Sequence, residues 1–310
     1  MAHWPVAFLF VINLRMTIKR CIPGYFLTFI CFAFGSGLFA QTFKNPIRDS
    51  ASRSEASEFR IGLRYTSDYL FMGRSDSLPA PYLSPSIAYI HHSGFFVNTS
   101  LSYLTVKEQA RIDMFKVSGG YDYFKNKFES GVSLTQYVFS EESFAVQSEM
   151  STYLYAYVGY DFNVLMVYVD GSLGFSAQTD AFIGAEINHS FYTFKNKLRI
   201  TPALYMNAGT QNYYTDYYYN RSNQTAPGKG KGAQSSATGS SHTVETQKFQ
   251  ILDYEADLQL IYHLNPIKFY GSVTWAFPVN PYTITNATGT YTEQLNNGFY
   301  WSTGIRYTFD

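Results

Sequence analysis

Asn188, His189 and Ser190 are the residue types of a supporting amide, a base and a nucleophile, set side by side. On an extended chain adjacent side chains alternate faces, so His189 and Ser190 point apart and cannot exchange a proton. His91 and His92 run into Ser93-Gly94 and read as turn residues rather than metal ligands. Both cysteines, Cys21 and Cys31, lie in the first forty residues, so no Cys/His metal cluster exists beyond them. Lys229 and Lys231 sit among glycines without the Walker spacing or a strand–loop–helix frame, so they form no phosphate loop. The reading assigns no catalytic residue, no metal and no cofactor. It leaves the charges: Arg60, Arg64, Lys116, Arg199, Lys268 and Arg306 against Glu129, Asp170, Glu186, Asp253, Glu255 and Asp257. Their role depends on the elements that carry them.

The 310 residues hold 23 basic and 23 acidic side chains, which argues against nucleic-acid binding driven by bulk charge. Aromatics make up 19% and charged residues only 15%, well under the usual quarter. So many Tyr and Phe with so few charges imply aromatic side chains facing something other than water. Met16-Thr-Ile-Lys-Arg20, the apolar run 22–34, Gly35-Ser-Gly37 and Ala40-Gln41 together read as a signal peptide over 1–40. Met16 is the better start. An uncleaved anchor helix is the rival reading. Cleavage after 40 removes Arg15, Lys19, Arg20 and both cysteines, leaving 20 basic and 23 acidic residues and no disulfide. Residues 41–56 read as a flexible periplasmic tail.

Beyond residue 40 no apolar run is long enough for a membrane-spanning helix. Alternation over 8–12 residues repeats instead, the mark of half-buried strands. Phe299, Trp301, Thr303, Ile305, Tyr307 and Phe309 alternate with Tyr300, Ser302, Gly304, Arg306 and Thr308. Leu252, Tyr254, Ala256, Leu258, Leu260 and Tyr262 share one face, opposite Asp253, Glu255, Asp257 and Gln259. The pattern predicts twelve strands, near 57–66, 83–91, 95–104, 112–123, 128–139, 151–161, 164–175, 181–191, 198–209, 249–262, 267–277 and 298–309.

Tight turns at 92–94, 124–127, 162–163, 192–197 and 264–266 alternate with longer loops at 67–82, 105–111, 140–150, 176–180, 210–248 and 278–297. Short turns at one end, long loops at the other and an even strand count describe a transmembrane antiparallel up-and-down β-barrel over 57–310, all-β. A sheet in lipid cannot leave an edge unpaired, so it must close. The aromatics then belong at the interfaces, with Tyr121, Tyr123, Tyr160, Tyr262 and Tyr307 at the short-turn ends. A secreted soluble sandwich or propeller is the alternative, opposed by the one-sided loop lengths.

If the apolar sets face lipid, the twelve charges named above line the lumen. Closure puts Arg60, Arg64 and Arg306 in one basic strip, with Asp253, Glu255 and Asp257 as an acidic strip two strands away. Opposed strips set up a field that orients small polar solutes. The competing reading has the charges pairing and holding the barrel shut. Loop 210–248 carries Tyr213, Tyr214, Tyr217, Tyr218 and Tyr219 and then a Gly/Lys and Ser/Thr tract, read as a long external loop whose tyrosines extend the interfacial belt.

Residues 61–105 resemble the opening of the TorF-family porins. Thr66-Ser-Asp-Tyr69 closes the first strand, Gly73 sits in a glycine–arginine loop, Pro79 precedes strand two, and Ser93-Gly-Phe-Phe96 opens strand three. Met72-Gly73-Arg74 stands where the family tends to have Arg-Gly, and 210–248 is an added stretch. The C-terminal aromatic alternation resembles the signal read by the barrel-assembly machinery, although Asp310 follows Phe309. The resemblance implies an outer-membrane barrel of a diderm (Gram-negative) bacterium with channel activity. It implies lipid, lipopolysaccharide and the assembly machinery as partners, and a small solute of unknown identity. The expected function is a passive pore for small polar solutes, not an enzyme, gated by loops 210–248 and 278–297. The alternatives are a closed structural or adhesion barrel whose external loops bind a partner and, more remotely, a lipid hydrolase.

Overall fold

The structure is a computed structural model and describes residues 56–75, 79–176, 178–214, 243–244, 248–286 and 289–309. Residues 1–40, read above as a signal peptide, nearly all of 41–56, and Tyr217 to Tyr219 lie outside the described residues. Among the described residues sixteen strands form: β1 (Glu58–Thr66), β2 (Tyr82–Ile90), β3 (Phe95–Leu104), β4 (Arg111–Lys125), β5 (Phe128–Phe139), β6 (Thr152–Asp161), β7 (Met166–Phe175), β8 (Thr179–Asn188), β9 (Phe191–Thr193), β10 (Leu198–Gly209), β11 (Thr243–Val244), β12 (Gln250–Leu264), β13 (Ile267–Pro278), β14 (Thr283–Asn286), β15 (Gly289–Thr292) and β16 (Gly298–Phe309).

Twelve of them close into one antiparallel ring. Each pairs with its chain neighbour, β10 pairs with β12, and the last strand returns to the first, with Phe59 opposite Phe309 and Leu63 opposite Ile305. The short β9 runs beside β10 beyond the end of β8, because the expected strand 181–191 breaks at His189 and Ser190. β11, β14 and β15 form a separate three-stranded sheet at the long-loop end, which alternation had not revealed.

The period-two pattern fixes which face is which. Phe59, Ile61 and Leu63 on β1, Val132 and Leu134 on β5, and Ile183 and Ile187 on β8 all point outward and are exposed. An exposed apolar sheath around a closed ring is the exterior of a transmembrane barrel. Tyr123, Tyr160, Tyr262 and Tyr307 ring its short-turn end. The turns there are tight. Gly94 has φ 109°, and a Cβ on it would fall 2.2 Å from the Asp122 carbonyl oxygen, so only glycine fits.

Two β-bulges break the alternation, both at the long-loop end. Between β3 and β4 the register slips, so that Ser102 faces Met114 and Tyr103 faces Ile112. The extra residue, Asp113, is driven inward beside Met114. Between β10 and β12 the slip leaves Asn207 opposite Asp253 and Ala208 opposite Ile251. Leu252, expected on the lipid face, is therefore fully buried, because a bulge turns two consecutive side chains the same way.

Candidate functional site

At the long-loop end the segment between β1 and β2 does not rise away from the barrel. It dips into it as a small hairpin. Phe71 and Arg74 exchange both backbone hydrogen bonds, at 2.8 and 3.0 Å, around Met72 and Gly73 with φ 50° and 73°. Positive φ at both central residues is the tight hairpin turn that favours glycine. Gly73 is required twice over, since a Cβ there would come within 2.7 Å of the Asp253 Cβ.

The hairpin tip meets strands around the ring. The fully buried Phe71 ring packs edge-on against Tyr153 of β6, Phe182 of β8 and Tyr213, with centroids 6.3, 5.4 and 5.0 Å away. Tyr69 packs on Tyr82 of β2. The Arg74 guanidinium donates to the carbonyls of Leu252, Val279 and Asn280 and pairs with Glu293 at 3.3 Å. Phe144, Val146, Met150, Tyr214 and Tyr282 complete a buried cluster. The long loops thus form an aromatic cap inside the barrel mouth.

Buried aspartates pin each piece of the cap. Asp68 Oδ1 accepts from the backbone N–H of Tyr69 and of Ala80, both at 2.6 Å, clamping the base of the hairpin. Asp113, delivered by its bulge, accepts from Tyr82, from Arg111, and from Ser140 and Ser143 at 2.8 Å, holding the β5–β6 loop. Asp180 accepts from Thr210 and from the N–H groups of Asn212 and Tyr213, holding the segment after β10. Carboxylates that collect several donors are the cheap way to bury charge. Burial pushes the Tyr69 and Tyr213 phenols far above their ordinary range.

Below the cap lies a cavity of about 630 Å³. Tyr69 and Met72 line its upper part, and Asn126, Lys127, Asp161, Asn163 and Tyr192 line it at the short-turn end. Of the charges assigned to the lumen, Arg60, Arg64, Lys116, Glu129, Asp170, Glu186, Arg199 and Arg306 are on this wall. Asp253, Glu255, Asp257 and Lys268 are on inward faces but not on it. Asp253 is buried under Gly73 and accepts from Asn207 at 2.8 Å, while Asp257 accepts from Thr274. The acidic side of the open cavity is therefore not the expected 253–257 strip but Glu129, Asp170 and Glu186. Arg60 is shared with Glu58 at 2.5 Å.

The cross-strand register groups these charges. One run of directly opposite cross-strand partners reads Glu129, Gly159, Tyr168, Glu186, Tyr205, Glu255. A second reads Asp122, Gly131, Tyr157, Asp170, Gly184, Asn207, Asp253. Two basic runs lie elsewhere: Lys116, Ser100, Ser86, Gly62, Arg306, Lys268, His263, and Arg64, Gly304, Tyr270, Ile261, Arg199. Glycines leave room for a neighbour to lie flat on the wall. A Cβ on Gly159 would strike the Tyr168 ring at 2.3 Å, and one on Gly184 the Asp170 carboxylate at 2.5 Å. Tyr168 donates to Glu129 and Tyr157 to Asp122, at 2.7 and 3.0 Å. Asp122 escaped the sequence reading, although its even spacing from Lys116 was the available signal.

Tyr213 and Tyr214, expected in an interfacial belt, are buried in the cap instead. Ser190 shares a hydrogen bond with Thr201 Oγ1 at 2.9 Å, and the His189 ring packs edge-on against Phe191. The candidate nucleophile and base are thus engaged with different neighbours. Among the described residues no group of His, Cys, Asp and Glu could hold a metal ion.

No family model matches this sequence, and no curated protein matches it. Solved structures similar to it include the KdgM porin, 14% identical with TM-score 0.45, the match covering 81% of this chain and 99% of that one. The NanC porin is 13% identical with TM-score 0.41 over 82% and 100% of the two chains. LpxR from Salmonella typhimurium is 11% identical with TM-score 0.40 over 81% and 100%.

Proposed function

We propose that this protein is an outer-membrane channel of a diderm bacterium that passes small polar solutes, with its short turns in the periplasm and its cap at the cell surface. The observation that carries this reading is the charged cavity of about 630 Å³ held inside an apolar-sheathed ring. A barrel built only for rigidity has no need of a hollow polar centre, since lumen side chains can fill it. The channel is capped in this conformation. Passage requires the 67–75 hairpin to move together with the cap residues packed on it, which adds the segment that resembles the TorF family to the gating loops 210–248 and 278–297. In this reading the protein has no enzymatic step. Partners are the lipid and lipopolysaccharide around it and the assembly machinery that inserts it.

Single-channel current in a planar bilayer tests the proposal. Discrete steps from the refolded protein support it. An inserted, heat-modifiable barrel that stays silent, even after the cap is loosened by mutation, overturns it. The second reading, a closed barrel whose surface loops bind a partner, draws on the buried aromatic cap and predicts that silence.

A further inference from the structure

The two sets of charge face each other across the cavity. In a ring of twelve strands the wall opposite any strand is six strands away. Counting from β1 in either direction reaches β7, so Arg60 and Arg64 stand opposite Asp170. Arg306 on β16 stands opposite β6, which is flanked by Glu129 on β5 and Asp170 on β7. The basic wall has a small, hydroxyl-rich floor of Ser86 and Ser100 between Arg306 and Lys116. Lys116 and Arg64 are within electrostatic reach of each other. Arg60, Arg64 and Arg306 on one wall and Asp170, Glu129 and Glu186 on the other create a transverse field in a low-dielectric shell. Among the lumen charges named above, Arg199 on β10 is the one basic group beside the acidic wall. A pure anion meets the acidic wall and a pure cation meets the basic one. A solute carrying both charges, at its two ends, satisfies both.

We propose that the cavity is a binding site for zwitterionic solutes of short-peptide size, entered from the short-turn end. The α-carboxylate lies toward Arg64, Arg306 and Lys116, and the α-ammonium toward Asp170, Glu129 and Glu186. Size agrees. Backbones across a twelve-stranded barrel are about 24 Å apart, and the facing side chains narrow this toward the roughly 10 Å that three extended residues span. The cavity volume of about 630 Å³ lies within the range of small-ligand sites. The proposal rests on the channel reading above and names its solute class.

The test is calorimetric titration of the reconstituted protein at low ionic strength with three probes: triglycine, its N-acetyl derivative and its C-terminal amide. Blocking either end is expected to weaken binding about tenfold or more, as loss of one charge-assisted contact does. Arg64→Gln is expected to abolish the advantage of the free carboxylate and Asp170→Asn that of the free ammonium, each in a barrel that remains heat-modifiable. If N-acetyl-triglycine binds as well as triglycine, the site is a plain anion site and the proposal falls. It falls equally if all three probes bind alike or none binds. Current recorded in parallel separates the two claims. Triglycine binding without conductance overturns the channel but keeps the site. Conductance without end-dependent binding does the reverse.

Discussion

The Arg74 guanidinium and the Glu293 carboxylate meet at 3.3 Å with side-chain exposures of 1% and 6%. They join the hairpin between β1 and β2 to the segment between β15 and β16, more than two hundred residues apart in sequence. The same guanidinium donates to four carbonyls, those of Met72, Leu252, Val279 and Asn280, and lies over the Tyr214 ring at 5.8 Å. One side chain therefore ties four parts of the cap together.

Removing one member of that pair leaves a buried charge, at a cost of about 3–5 kcal/mol. Arg74→Met or Glu293→Met is expected to loosen the cap and raise open-channel current without lowering the barrel's unfolding temperature on gels. The double substitution to Met removes both charges and is expected to close the cap again in part. A double variant as open as either single one would deny the pair its latch role.

Gly73 is the second control point. Gly73→Val places a branched side chain at positive φ and against Asp253, a combination of strain and clash costing on the order of 1–3 kcal/mol. Limited proteolysis is expected to cut at 67–80 in the variant and spare the parent. Equal resistance would mean that the hairpin is held without its tight turn.

Leu134 lies mid-strand on the lipid face and is 53% exposed. Leu134→Arg is expected to reduce stability in lipid by about 2–4 kcal/mol, as arginine does near the bilayer midplane. Ser133→Ala, one residue away and facing inward, is expected to change it little. Equilibrium unfolding from vesicles reads both.

Ser190→Ala separates the channel from a lipid hydrolase. With Ser190 bonded to Thr201 and His189 against Phe191, neither parent nor variant is expected to release fatty acid from phospholipid vesicles. Hydrolysis by the parent that disappears in the variant would establish an enzyme.

The sequence by itself determined the twelve barrel strands, to within three residues at any end, and the direction of nearly every side chain in them. Alternation is local: each inward residue of β1 or β16 is marked by its two neighbours, and a one-residue slip would turn the apolar face away from lipid. The even count and one-sided loops then required closure. The tertiary structure decided what no neighbour marks. Leu252 and Asp113 are turned inward by bulges, which depend on the facing strand rather than on local period. Phe71, Tyr213 and Arg74 are cap residues only because loops from distant strands converge inside one ring. Which acids reach the cavity was also settled there. Asp253 is covered by Gly73, whereas Asp170 stays open to the cavity, because a hairpin 180 residues earlier in the chain folds over one and not the other.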